Sequence, residues 1–395
     1  MLRFGRGVVH EVGHDMKDLG ASRVAIVTDP RVAKTIACER AIEALDTQRI
    51  PYAVYDRVCC EPTSESMQDA VEWARQHECD AFLAIGGGSS IDTAKVANLM
   101  ACHPDDELDT FVNAPIGGGH PIPRALHPLV ALVTTAGTGS EATGTAIFDH
   151  TPSRAKTGIG SRRLRPTLGL CDPDLIGTMP REVAMASGLD VLCHAIESYT
   201  AIPYDQRTPR PLTPAERPAY QGSNPLSDLW SLNALRLIAQ AFVPSLDGDG
   251  PARETMALAA ASAGIAFGNA GVHLPHAMSY PISGLNKMLP HVQHKQTGYD
   301  LDWPLIPHVR ATWPKDACHS HTSPSTSMRP SPQAPPPPPI RPRFLFLLPP
   351  EHCSLAGHLG HASCACCVPL HRPRLPRAPP RVCRTLGRRR EPCAE

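Results

Sequence analysis

The sequence predicts an α/β protein: an N-terminal domain built on a parallel β-sheet, then an all-helical domain, then a disordered tail. Three observations lead there. Short apolar runs alternate with helical patterns through the first 175 residues. Strand signals vanish from about residue 179, where stretches rich in Ala, Leu and Met take over with helical spacing. After residue 310 all periodicity gives way to proline, arginine and cysteine. The expected domains are therefore 1–178, 179–310 and 311–395. A chain of 395 residues can bury two or three real cores, and 42% apolar with 19% charged residues excludes a collagen-like or wholly disordered chain.

Taken in order, residues 23–28 (RVAIVT) read as a buried strand, followed by a helix over 31–46. Residues 51–55 form a second strand and 64–77 a second helix. A third strand, 80–85 (DAFLAI), runs directly into Gly86, Gly87 and Gly88, and residues 129–133 add another. A βαβαβ alternation implies a parallel sheet with helices on both faces, whose ligands sit beyond the carboxyl ends of the strands. Helices are expected at 181–201, 227–243 and 253–267, with a loop rich in proline and arginine at 203–225. A loop of that length inside a compact domain is either functional or disordered.

The formal net charge of zero is a cancellation. Residues 311–395 hold 12 Lys and Arg against 4 Asp and Glu, leaving 26 basic and 34 acidic side chains to the body. The body therefore lacks the basic footprint of a nucleic-acid binder, and no nucleic-acid partner is expected. The tail also holds 18 of the 43 prolines, with an unbroken run at 335–339 that stays extended. Half of the 14 cysteines lie there too, and Cys364, Cys366 and Cys367 lack the paired spacing of a zinc knuckle. Cysteines of the body stand singly or as Cys59-Cys60, which suits a reducing compartment without disulfides. No apolar stretch approaches the roughly 20 residues of a membrane span, so no membrane partner is expected. Arg3 and Arg6 soon meet Glu11 and Asp15, so no leader is visible.

Several residues could carry chemistry. The stretch 86–93 (GGGSSIDT) stands between a strand and a helix, where glycines admit a phosphate to backbone N–H groups at a helix N-terminus. An ordinary capped βα turn is the plainer alternative, and the spacing is not GxGxxG. Residues 134–141 (TTAGTGSE) follow the next strand and offer hydroxyls for ribose, phosphate or nicotinamide, or form a bland polar loop. Asp29 ends the first strand, where it would accept from an adenosine ribose and repel a 2′-phosphate, or simply cap the turn before Pro30. Asp190 and His194 share one helix face at a spacing of four, and a carboxylate with an imidazole suits a divalent transition metal. A surface pair gives the same spacing. His273 and His276 form a second cluster after an alanine-rich helix.

The order of GGGSSIDTAK (86–95), TTAGTGSE (134–141), GLDVLCHAIESY (188–199) and HAMSYPISG (276–284) resembles the iron-dependent, group III alcohol dehydrogenases. The resemblance covers about residues 4–287. Within that family, stretches 156–173, 217–230 and 266–285 are most similar to the hydroxyacid-oxoacid transhydrogenase branch. The resemblance implies a dinucleotide-binding domain, a helical metal-binding domain that is C-terminally incomplete in this chain, and an active site in the cleft between them. It implies that Asp190, His194 and His276 hold a divalent metal, iron or zinc, with His308 in the segment 299–308 as fourth ligand. His291 sits in a similar local string, and Val309 stands where the family has glycine. It further implies that Gly87, Gly88 and Ser89 contact the pyrophosphate of a tightly bound NAD. Thr134, Thr135, Thr138 and Lys156 would make other cofactor contacts, and Asp29 would favour NAD over NADP. Tyr280 stands where many members carry a second histidine, and its phenol would serve the proton path.

The expected activity is hydride transfer from a small hydroxyacid such as 4-hydroxybutyrate to an oxoacid such as 2-oxoglutarate. Such substrates carry carboxylates, for which Arg207, Arg210 and Arg217 in the long loop are candidate partners or merely surface arginines. An NAD-dependent alcohol dehydrogenase of the same family is the first alternative. A catalytically inactive truncated product is the second, because the family continues with helices where this chain turns to its tail. A mitochondrial location follows from the resemblance, a cytoplasmic one otherwise, and a homo-oligomer is compatible with either.

Overall fold

The computed structural model describes residues 1–208, 211–213 and 217–288. The tail at 311–395, His291 and His308 lie outside these residues, as does Arg210. In chain order the strands are β1 (Leu2–Phe4), β2 (Val24–Thr28), β3 (Tyr52–Tyr55), β4 (Ala81–Gly86), β5 (Leu129–Val133), β6 (Thr145–His150), β7 (Ala155–Gly160) and β8 (Leu168–Cys171). The α-helices are α1 (Val12–Asp18), α2 (Ile36–Thr47), α3 (Ser64–His77), α4 (Gly88–Cys102), α5 (Leu108–Phe111), α6 (Pro173–Ile176), α7 (Arg181–Thr200), α8 (Pro225–Leu246), α9 (Gly250–Ala270) and α10 (Leu274–Met288).

Six strands form one sheet in the order β1-β8-β5-β4-β2-β3, and every neighbouring pair is parallel. The strands expected at 23–28, 80–85 and 129–133 are central members, and the one expected at 51–55 is an edge strand. Their near-continuous apolar sequences suit a sheet covered on both faces. Alternate side chains of one strand go to opposite layers, as the period of two demands. Val24 and Ile26 pack with Met16 of α1 and Leu45 of α2. Ala25 and Val27 pack on the other face with Trp73 of α3 and Ile91 of α4.

Two short strands escaped the sequence pattern. β1 and β8 are three and four residues long, too brief for periodicity to register. The antiparallel hairpin β6–β7 was also missed, because β7 reads AKTGIG and glycine is a poor strand former. The chain leaves β2 toward β3 on one side and β4 toward β5 on the other. That makes the carboxyl ends of β2 and β4 the topological switch point, where an open α/β sheet binds its ligands.

Helices α7, α8 and α9 build the second layer around Val191, Ile238 and Met256. Gly188 is required there, since a Cβ would lie 2.5 Å from the Phe242 ring. Helix α8 opens with a capping box in which Asn224 accepts from the Leu226 and Ser227 N–H groups, with Pro225 in the first turn. Such a cap is worth about 1 kcal/mol. The loop between α7 and α8 is tied back on itself by a bridge between Pro203 and Ser223 and by the Tyr204 N–H to the Ser223 carbonyl.

Candidate active site

Helix α4 begins at Gly88, directly after β4, so its first N–H groups face the switch point. Gly87 and Gly88 keep that space open: a Cβ on Gly87 would meet Thr135 Oγ1 at 3.1 Å, and one on Gly88 would meet Thr138 Oγ1 at 3.0 Å. The structure thus brings the glycine turn and the threonine loop together. The Thr134 N–H bonds the Gly86 carbonyl, fixing the start of that loop beside β4. Ser89 Oγ accepts from the Glu61 N–H at 3.3 Å. Asp29 Oδ1 accepts from the N–H groups of Arg31 and Val32, so the aspartate does cap its turn. Its other oxygen lies 3.8 Å from where a Gly86 Cβ would sit, at the same switch point. Lys156 of β7 pairs with Glu61 at 3.0 Å and lies 3.8 Å from Asp149.

Asp190 and His194, one turn apart on α7, converge with His276 of α10, and all three are buried. The two histidine Nε2 atoms are 3.1 Å apart, and Asp190 Oδ1 is 3.7 and 3.9 Å from them. Three donors bonded tetrahedrally at about 2.1 Å would stand about 3.4 Å apart, so this triangle fits a divalent cation. Asp190 Oδ1 is buried without a hydrogen-bond partner among the described residues, an orphan that a cation would satisfy. Burial pushes the Asp190 carboxyl up to about 7, against the pull of His276, with the Glu197 charge adding to the rise.

Glu197 is the functional residue that the sequence reading missed. Its Oε1 accepts from His276 Nδ1 at 2.6 Å, and its Oε2 accepts from the His273 N–H at 2.7 Å. A carboxylate behind a ligating histidine fixes the tautomer and aims the opposite nitrogen at the metal. Burial alone would raise Glu197, but the His276 hydrogen bond and charge, with the His273 N–H, outweigh it and hold the carboxyl low. The signal was present in the quoted motif: Asp190, His194 and Glu197 follow a spacing of four and then three, one helix face. His273 itself donates its backbone N–H inward, while its Nε2 lies 2.9 Å from Thr200 Oγ1.

One wall links the two halves of the site. The His194 ring stacks on Phe267 of α9, with centroids 4.0 Å apart and planes 8° from parallel. Phe267 in turn packs on Gly139, whose φ of +64° and lack of a Cβ admit the ring; an added Cβ would lie 2.8 Å from it. The run 134–141 therefore touches the glycine turn through Thr135 and Thr138 and the triad of Asp190, His194 and His276 through Gly139 and Phe267. Tyr280 on α10 is half-buried, and its phenol is pushed up to about 12 by burial and by the charges of Asp92, Asp190 and Glu197. Arg207 and Arg217 of the long loop are engaged within it. Arg207 stacks on the Tyr220 ring at 4.8 Å, and Arg217 donates to the carbonyls of Pro211 and Leu212.

The iron-containing alcohol dehydrogenase family model matches residues 1–173, and the C-terminal model of the same family matches 217–297. The chain belongs to the iron-containing alcohol dehydrogenase family. It is 50% identical over 309 residues to the mitochondrial hydroxyacid-oxoacid transhydrogenase of Rattus norvegicus, covering 78% of this chain and 65% of that protein. The chain thus spans just under two thirds of the length of the curated relatives it matches. Among solved structures it resembles the iron-containing alcohol dehydrogenase of Thermococcus thioreducens, with 28% identity and a TM-score of 0.64 over 74% of this chain and 71% of that one. It also resembles the sulfoacetaldehyde reductase of Bifidobacterium kashiwanohense, solved in complex with NAD+, at 25% identity and a TM-score of 0.62 over 74% and 71%.

Proposed function

We propose that the chain passes hydride from a small hydroxyacid to an oxoacid through a bound NAD, with a divalent metal at Asp190, His194 and His276. The observation that supports this reading most is the continuity of the wall from Gly88 through Thr138, Gly139 and Phe267 to His194. A cofactor seated on the glycine turn would lie beside the metal-binding triad. Likeness to transhydrogenases, including 50% identity to the rat protein, supports the choice of substrates.

In this reading Asp190, His194 and His276 hold the cation, iron or zinc, and His308 is proposed as the fourth ligand. Glu197 keeps the proton of His276 on Nδ1, leaving Nε2 as a lone pair aimed at the cation. When bound, the cation supplies Lewis acidity to the substrate hydroxyl, and the nicotinamide supplies the hydride acceptor. Gly87, Gly88 and Ser89 seat the pyrophosphate, Thr134, Thr135, Thr138 and Lys156 hold the rest of the cofactor, and Asp29 selects against a 2′-phosphate. Tyr280, its phenol held protonated by burial, serves the proton path at the site. Arg207, Arg210 and Arg217 are proposed as carboxylate partners, and a mitochondrial location is proposed from the names of the relatives.

The test is the content of the purified chain. One equivalent of iron or zinc and one of nicotinamide per chain is expected, with the metal lost from Asp190→Asn. A chain that retains neither under metal-replete expression would overturn the reading. Turnover of hydroxyacids only on addition of free NAD would favour an NAD-linked alcohol dehydrogenase instead.

A further inference from the structure

At the opposite end of the sheet from the glycine turn, a cavity of about 200 Å³ opens between α4, the segment entering β5 and the turn before β8. Leu129, the first residue of β5, and Thr167, just ahead of β8, mark it as lying at the amino ends of the strands. Its polar lining comprises Lys95, Asn98, His127, Arg163, Arg165 and Thr167, and no aspartate or glutamate lines it. The cavity has room for about seven waters and is smaller than the roughly 300–1,000 Å³ of ordinary small-molecule pockets, so its occupant is small.

The charge there is largely uncompensated. Lys95 is fully buried and directs two of its three donors to Asp92 Oδ1 at 3.1 Å and the Thr145 carbonyl at 2.6 Å. Asp92 balances it from within α4. Arg163 and Arg165 make no ion pair among the described residues. Arg165 gives one nitrogen to the Gly268 carbonyl at 3.2 Å. Two exposed arginines and His127 thus line one small space with no acid among its lining residues, beside a buried ammonium that Asp92 offsets. Guanidinium groups offer fixed forks of donors that match phosphate oxygens, and donors arriving from three separate segments suit a tetrahedral anion better than a planar one.

We propose that this cavity is a binding site for a small tetrahedral dianion, inorganic phosphate or the head group of a phosphate monoester, held by Arg163, Arg165 and Lys95. It is separate from the cofactor's seat, which lies at the carboxyl ends of the same strands, and it does not depend on the hydride-transfer reading.

The probe is inorganic phosphate, titrated calorimetrically into the full chain in phosphate-free buffer at fixed ionic strength. Saturable binding of one phosphate is expected, weakened about tenfold or more in Arg163→Gln and in Arg165→Gln, as suits the loss of a charged hydrogen bond. Arg163 makes no side-chain hydrogen bond among the described residues, so its variant keeps the fold even where Arg165→Gln does not. Affinity should be unchanged in Arg236→Gln, a control on the exposed face of α8, and in Gly88→Ala, which fills the glycine turn. Absence of saturable binding through the millimolar range would overturn the proposal. So would binding abolished by Gly88→Ala and retained in Arg163→Gln, since the phosphate would then sit on the glycine turn.

Discussion

Replacing Glu197 by alanine probes how His276 is aimed at the proposed metal site. Glu197 is buried and accepts two short hydrogen bonds, 2.6 Å from His276 Nδ1 and 2.7 Å from the His273 N–H. Alanine removes the acceptor of the buried His276 Nδ1, at about 1–3 kcal/mol, and of the partly buried His273 N–H, at less, partly offset by removal of the carboxylate's own desolvation. A net loss of about 2 kcal/mol of metal-free stability is expected. The larger effect is on the cation, because the His276 ring loses the group that fixes its tautomer and plane. Metal affinity should fall roughly 10–100-fold in Glu197→Ala. Glu197→Gln keeps one neutral acceptor and should fall between the two. Competition with a zinc-binding dye gives the affinities, and urea unfolding gives the stability. Unchanged affinity in Glu197→Ala, with the expected drop in stability, would refute the positioning role.

Further outcomes follow from the same geometry. Burial raises the Asp190 carboxyl from 3.8 to about 7 in the metal-free chain, so folding favours its protonated form. That contribution is whole below about pH 4 and lost as pH rises through about 7, to a total on the order of 4 kcal/mol. Urea midpoints of the chelator-treated protein should show that loss, and Asp190→Asn should lack it. Gly139→Val should cost about 1–2 kcal/mol for its left-handed backbone and should displace Phe267 from His194, lowering metal affinity without touching a ligand. Asp29→Ala should weaken the preference for NAD over NADP in dissociation constants, and should cost about 1 kcal/mol through loss of its cap on Arg31 and Val32. Arg217→Ala should raise the KM for the hydroxyacid and leave metal content alone; unchanged kinetics would remove it from the site.

The sheet was legible where strands are long and apolar, as in β2, β4 and β5, because burial on both faces leaves an unmistakable run. It was illegible at β1 and β8, whose few residues depend on parallel neighbours already in place. The site divided in the same way. Asp190 and His194 are visible through helical spacing alone, and the glycine turn through its place after β4. His276 was placed with them only by the family resemblance, since 82 residues separate it from the His194 nitrogen it approaches and no local period links the two. Glu197 was readable from period and was overlooked because a glutamate near a helix end is ordinarily a solvated one. Phe267 carries no chemical signature, and its role depends on Gly139 of a distant loop. The Lys95 ion pair lay within a quoted motif, yet its carbonyl partner, Thr145, belongs to a hairpin that local pattern did not reveal.

The central claim is that one chain holds metal and nicotinamide together and exchanges hydride between two acids. Its most direct test follows deuterium from 4-hydroxybutyrate labelled at C4, incubated with 2-oxoglutarate and the purified chain without added nicotinamide. The account predicts deuterium at C2 of the 2-hydroxyglutarate formed, at many turnovers per chain and abolished in Asp190→Asn. Unlabelled product, or no product from a chain shown to contain both metal and nicotinamide, would contradict it.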